Sequence, residues 1–185
     1  MGTIKTTNIQ SISGSGTVTL GTSGETFALG TGALQSNLLT PAFAMRGSGS
    51  NQTVTDNTFT KAELNVADID TDSACDTSTN YRFTVPSGKA GNYFICASLN
   101  AYTSTNDQQV FDGLIYKNGS SIASNLLQYS NSANQGRHTM YSQAIVVDLA
   151  ASDYIELYGR ISGGSTEAFR RDDRSMLLNG YRIGT

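Results

Sequence analysis

Apolar and polar residues alternate with a period of two through much of this chain, in short runs that stop at turn residues. The stretch NYRFTVPSGKAGNYFICASL, residues 80–99, is representative. A short alternating run ends in Val85-Pro86, a glycine-rich turn follows, and a longer apolar run begins at Tyr93. Proline cannot donate to a ladder, so it ends one strand, while Gly88 and Gly91 let the chain turn into the next. The same pattern predicts strands at 42–46, 58–64, 81–85, 92–102, 110–117, 121–127, 139–149, 154–161 and 176–183. The turns GSGSN, PSGKAG, KNGSS, AASD and SGGS separate them, and Asn118-Gly119 marks the clearest hairpin. No window sustains the helical apolar period over three turns. Many short strands with regular turns predict an all-β sandwich or barrel.

Composition agrees with this pattern. The 185 residues include 19 Gly, only 2 Pro and no Trp, with charged residues at 15%. Such a chain fits one domain, or one domain with an appendage. Residues 1–40 read as the appendage, and residues 41–185 as a head domain. The first part holds GTVTLGTSG followed directly by ETFALGTG, a near-repeat of strand and turn. Val18 and Leu20, then Phe27 and Leu29, give each unit only a narrow apolar face. Two such strands bury too little surface to stand alone and need another copy or another protein. The alternative is a disordered Gly/Ser/Thr leader, against which the regular apolar spacing argues.

The net charge of −3 comes with no basic stripe, which predicts no nucleic-acid partner. No run approaches the length of a membrane span. The N-terminal MGTIKTTNIQSISG has no apolar signal core, which predicts synthesis in a reducing cytosol with Cys75 and Cys96 unpaired. Gly2 and Thr6 match a myristoylation pattern, but nothing nearby supplies a second membrane signal.

Candidate chemistry is sparse. The single histidine, His138, lies in the polar sequence NQGRHT with no nearby Cys or second His, and reads as a solvated loop residue. Asp68, Asp70, Asp72 and Asp76 suggest a calcium loop. However, Ser73 stands where an EF-type loop needs Gly and Thr79 where it needs Glu, so a solvated acidic loop is expected. The cluster RRDDR at 170–174 is either a loop with self-compensating charges or an inter-subunit salt-bridge network. With no phosphate loop and no catalytic constellation, no enzyme activity, cofactor or metal is expected.

Five segments, in order, carry a resemblance. Tyr81-Arg-Phe-Thr-Val-Pro, Gly91-Asn-Tyr-Phe-Ile, Ile115-Tyr-Lys-Asn-Gly, Val147-Asp-Leu-Ala-Ala-Ser-Asp-Tyr-Ile-Glu-Leu and Ser175-Met-Leu-Leu-Asn-Gly-Tyr resemble the heads of complement first-component subunit q and the tumour necrosis factor superfamily. Two features depart from that pattern: Ser152 replaces the usual Gly before Asp153, and Phe94-Ile95 disturbs the Gly-x-Tyr-x-Phe alternation. The resemblance implies a ten-stranded jelly-roll sandwich that assembles as a homotrimer. It places Tyr93 and Ile95 inside, with Phe94, Cys96 and Leu178 facing the three-fold axis. Strand alternation independently puts 93/95 and 94/96 on opposite faces, both apolar. Cover by a local loop is the other account of Phe94 and Cys96.

A repetitive arm before such a head resembles virion proteins of tailed bacteriophages. The implied role is a capsid cement or decoration protein on the outer surface of the virion, made in a bacterial cytoplasm. In that role Val18, Leu20, Phe27 and Leu29 anchor it to the major capsid protein. The alternative is a tail-fibre knob that contacts the host. Without heptads or a collagen-like repeat to form a shaft, cement is the preferred expectation. A secreted lectin-like trimer is a third class and would need an export signal.

Overall fold

The computed structural model describes residues 41–129, 136–164 and 166–184. The expectations for the arm, including Val18, Leu20, Phe27 and Leu29, lie outside the described residues. Within them, thirteen strands form two antiparallel sheets. They are β1 Ala42–Arg46, β2 Gln52–Thr53, β3 Thr60–Lys61, β4 Val66–Asp70, β5 Cys75–Asp76, β6 Arg82–Thr84 and β7 Gly91–Thr103. The chain continues with β8 Val110–Lys117, β9 Ser120–Gln128, β10 His138–Leu149, β11 Tyr154–Ser162, β12 Glu167–Phe169 and β13 Leu177–Gly184. Eight of these span five or more residues, and the rest are pairings of two or three residues.

The first sheet is built on β7. β10 pairs along one edge of it, while β13 and then β12 share the other. Beyond β13 come β1 and β4, and beyond β12 comes β2. The second sheet runs β5-β6-β11-β8-β9, with β3 also pairing β11. Facing sides of the two sheets enclose the core, with Phe43 stacked on Phe83 at 4.0 Å between ring centroids and Tyr93, Ile95, Leu99, Ile115 and Leu157 packed around them. This is the period-two pattern at work, since alternate residues of each strand go inward.

Local chemistry explains the junctions. Val85 bonds across to Asp153 and Ser152 through its own N–H and C=O, and Pro86 then leaves the sheet. Gly91 has φ +142°, and a Cβ there would lie 2.2 Å from the Gly184 carbonyl oxygen, so only glycine opens β7 at this point. Asn118 and Gly119 both have positive φ and form the β8–β9 hairpin turn.

Expectations for this part of the chain are corrected here. Residues 66–70 form β4, a strand on the edge of the first sheet, where a solvated acidic loop was expected. Cys75 pairs with Phe83 in β5 and is half-buried. The strand expected at 58–64 contracts to Thr60–Lys61, because the Leu64 N–H turns back to the Ala62 carbonyl at 3.1 Å.

Candidate functional site

β7 has one face in the core and one on the outer side of the first sheet. Tyr93, Ile95, Ala97, Leu99 and Ala101 are buried, while Phe94 and Cys96 between them are half-buried. Opposite residues in an antiparallel pair share a face. Phe94 lies opposite Tyr181 of β13 and Val146 of β10, and Cys96 lies opposite Asn179 and Ala144. The Phe94 and Tyr181 rings are 5.5 Å apart. With Ala42, Ala44 and Ile69 they line an open trough of about 540 Å³. Its floor is apolar except for Asn179, whose Oδ1 is buried without a hydrogen-bond partner among the described residues.

The structure moves Leu178 off this face. Its side chain is fully buried in the sandwich core, opposite the inward-facing Ala97. Leu177, Asn179 and Tyr181 are the β13 residues that share the face of Phe94 and Cys96. A shift of one residue in a strand alignment exchanges the two faces, and the expectation for Leu178 carries that shift. A signal was present in Asn179-Gly180-Tyr181. Gly180 points inward, where a Cβ would meet Ile95, Phe43 and the Phe94 carbonyl at 2.8 Å, so its neighbours must point outward. Sequence reasoning also missed Ile69 and Val146, exposed apolar residues on flanking strands.

The remaining candidates are accounted for locally. Asp70 accepts the Ala74 and Cys75 amides at 2.8 and 3.0 Å. Asp76 accepts the Ser78 and Thr79 amides and the Asn80 side chain, which hold its carboxyl well below the usual range. Asp68 binds Arg46 and Arg174, and Asp72 pairs with Lys89 at 3.5 Å. Among the described residues, no three His, Cys, Asp or Glu are placed to hold a metal ion. Within 170–174, Arg170 pairs with Asp172, Arg171 with Glu63 and Arg174 with Asp68, so these charges compensate within one chain. His138 opens β10 rather than lying in a loop. Its ring is 5.1 Å from that of Tyr102, and partial burial, then Arg170 and Arg137, lower its pKa. Cys75 and Cys96 are both free. Burial, then the Asp70 charge, pushes the Cys75 thiol up to about 12, which leaves it protonated and unreactive at neutral pH.

The sequence matches no protein-family model and no curated protein. Solved structures do match. An Eiger TNF from S. frugiperda superposes with a TM-score of 0.56 at 9% identity, covering 77% of this chain and 92% of that one. Murine APRIL at pH 5.0 gives 0.55 at 8% identity, covering 77% and 98%. Murine APRIL at pH 8.0 gives 0.53 at 11% identity with the same coverage. The described residues therefore form a jelly-roll head of the tumour necrosis factor-like fold.

Proposed function

We propose that this chain is a non-enzymatic, homotrimeric virion protein that decorates the capsid of a tailed bacteriophage. Residues 1–40 hold the shell through Val18, Leu20, Phe27 and Leu29, and the head projects outward. The observation that supports assembly is the apolar outer face of the first sheet. A lone sandwich would leave Phe94, Tyr181, Ile69 and Val146 against water, on a sheet whose other side already forms the core. A closed three-fold ring needs a second, different surface on each copy to meet that face. The free edge of β9 in the second sheet supplies one, with Ile122 and Leu126 exposed.

Capsid attachment rests on the repeat within residues 1–40, whose paired apolar positions need an outside surface. Three arms on one trimer act multivalently, so modest single-arm contacts give firm retention. The test is deletion of residues 1–40. The shortened chain should remain a folded trimer and lose binding to particles stripped of the native protein. Retained binding would show that the arm is not the anchor. Binding of the shortened trimer to host cells, with competition against infection, would favour the tail-fibre role instead. The copy number in purified particles separates the two independently: hundreds for decoration, a handful of trimers for a fibre.

A further inference from the structure

Away from the apolar face, three acidic side chains surround one glycine turn. Gly163 and Gly164 follow β11 and lead toward β12. The Gly163 N–H donates to Asp56 Oδ1 at 3.2 Å, and the Gly164 N–H donates to Asp107 Oδ2 at 3.2 Å. Asp56 belongs to the loop between β2 and β3, and Asp107 to the loop between β7 and β8. The third acid, Glu167, opens β12 opposite Thr103 and is 2% exposed. It approaches the turn so closely that a Cβ on Gly163 would lie 3.2 Å from its Oε1.

Among the described residues, neither carboxyl oxygen of Glu167 has an N–H or O–H hydrogen-bond donor. The basic side chains on flanking elements are engaged elsewhere. Arg160 binds Asp112 and Asn57, and Arg137 binds the Thr103 carbonyl and the Tyr102 hydroxyl. An ionised Glu167 would thus be buried, without a donor, beside two other acids, which is among the costliest arrangements a fold can hold. The acids do not converge as metal ligands would. A proton solves the problem more simply, because two adjacent carboxyl groups can share one.

We propose that buried Glu167 keeps its carboxyl proton in the folded chain and shares it in a hydrogen bond toward Asp56 at the Gly163 turn, latching the loops at this end of the sandwich, and that the latch is released as pH rises. Burial first, then Asp56 through its hydrogen bond and its charge, raise the Glu167 carboxyl from its ordinary 4.5 to about 7, against the nearby dipole of the Gly163 N–H, which is bonded to Asp56, and with a small further push from Asp107. A carboxyl raised in the folded state makes the folded chain bind more protons than the unfolded chain between those two values. Its stabilising contribution is complete below 4.5 and is lost as pH rises through about 7.

The experiment compares the full chain with Glu167→Gln, which keeps the shape but cannot ionise. Stability is measured by denaturant unfolding between about pH 5 and about pH 9, with amide exchange followed at Gly163, Gly164 and Asp107. Between about pH 5 and about pH 7 the native chain should lose stability relative to Glu167→Gln with a slope of about one proton, and the difference should level off above that range. Exchange at those three amides should accelerate more steeply with pH in the native chain than in Glu167→Gln. Parallel stability curves would overturn the proposal. If Glu167→Gln does not fold, the native chain alone decides. An infrared band of an un-ionised carboxyl near neutral pH, bleaching on alkalinisation, supports the shared proton, and its absence refutes it. Calcium that stabilises the native chain at alkaline pH, but not Glu167→Gln, would mean that a cation compensates the cluster and would also overturn the proposal.

Discussion

Phe94 on β7 and Tyr181 on β13 lie directly opposite each other on the outer side of the first sheet, their rings 5.5 Å apart and inclined by 36°. Two large rings held together on an outward face make a preformed apolar contact that costs little entropy to bury. This pair therefore forms the centre of the proposed subunit contact. Phe94→Asp should leave the sandwich folded, since the side chain is not in its core, and should dissociate the trimer to monomers. Light scattering reports the mass and circular dichroism the fold. A folded Phe94→Asp chain of full trimer mass would remove Phe94 from the interface.

Leu178→Ala should behave in the opposite way. The side chain fills the core opposite Ala97, so truncation leaves a cavity and should cost about 2–5 kcal/mol of stability. Association through the other face should persist until the chain unfolds. Denaturant unfolding and light scattering on one sample distinguish the two effects.

The contrast between these residues shows what a sequence of this kind conveys. Alternation in β7 placed Tyr93/Ile95 and Phe94/Cys96 on opposite sides, because both sets are apolar and period two leaves no other choice. The long strands β7, β8, β10, β11 and β13 were legible within a residue or two for the same reason. β4 was not, because Val66-Ala-Asp-Ile-Asp does not keep a period of two, and its pairing with β1 includes a register shift. Leu177 and Leu178 are adjacent and equally apolar, so local pattern cannot say which points inward. Pairing with β7 decides it. The Glu167 cluster was invisible, since its three acids lie on three separate segments that only the folded topology brings to one turn.

Ser152 holds φ at +72° in the turn before β11, a conformation that costs a residue with a Cβ about 1–2 kcal/mol. Its amide donates to the Val85 carbonyl at 2.9 Å, and this bond is independent of the side chain. Ser152→Gly should therefore stabilise the head by about 0.5–1 kcal/mol, after allowance for the greater entropy of glycine in the unfolded chain. A higher thermal midpoint checks it. No change would mean that the serine hydroxyl contributes as much as the backbone strain costs.

Lys61 and Glu156 make an ion pair at 2.5 Å on the outer side of the second sheet, with the Glu156 side chain 4% exposed and that of Lys61 28% exposed. Lys61→Met keeps the aliphatic stem and strands the buried carboxylate, which should cost about 2 kcal/mol, less than for a fully buried pair because Lys61 reaches solvent. Lys61→Met combined with Glu156→Gln should recover much of that loss. A double substitution no better than the single one would assign the effect to packing rather than charge.

The last prediction concerns acid. Asp153 accepts from Lys117 Nζ at 2.9 Å, from Asn118 Nδ2 at 2.7 Å and from the Ala150 amide at 2.8 Å. Lys117, then Asn118, hold its carboxyl below the usual value. A depressed carboxyl stabilises the fold above its unfolded pKa, and the contribution is lost as pH falls through the folded value. Asp153→Asn should consequently flatten the loss of stability below about pH 4 and lower the plateau above it. Glu167 acts with the opposite sign and at higher pH, so the native chain should be most stable in the mildly acidic range between the two titrations. Unfolding curves for the native chain, Asp153→Asn and Glu167→Gln should separate the two limbs, with each substitution altering one and leaving the other intact. If Asp153→Asn instead altered the alkaline limb, the assignment of these limbs to independent sites would be wrong.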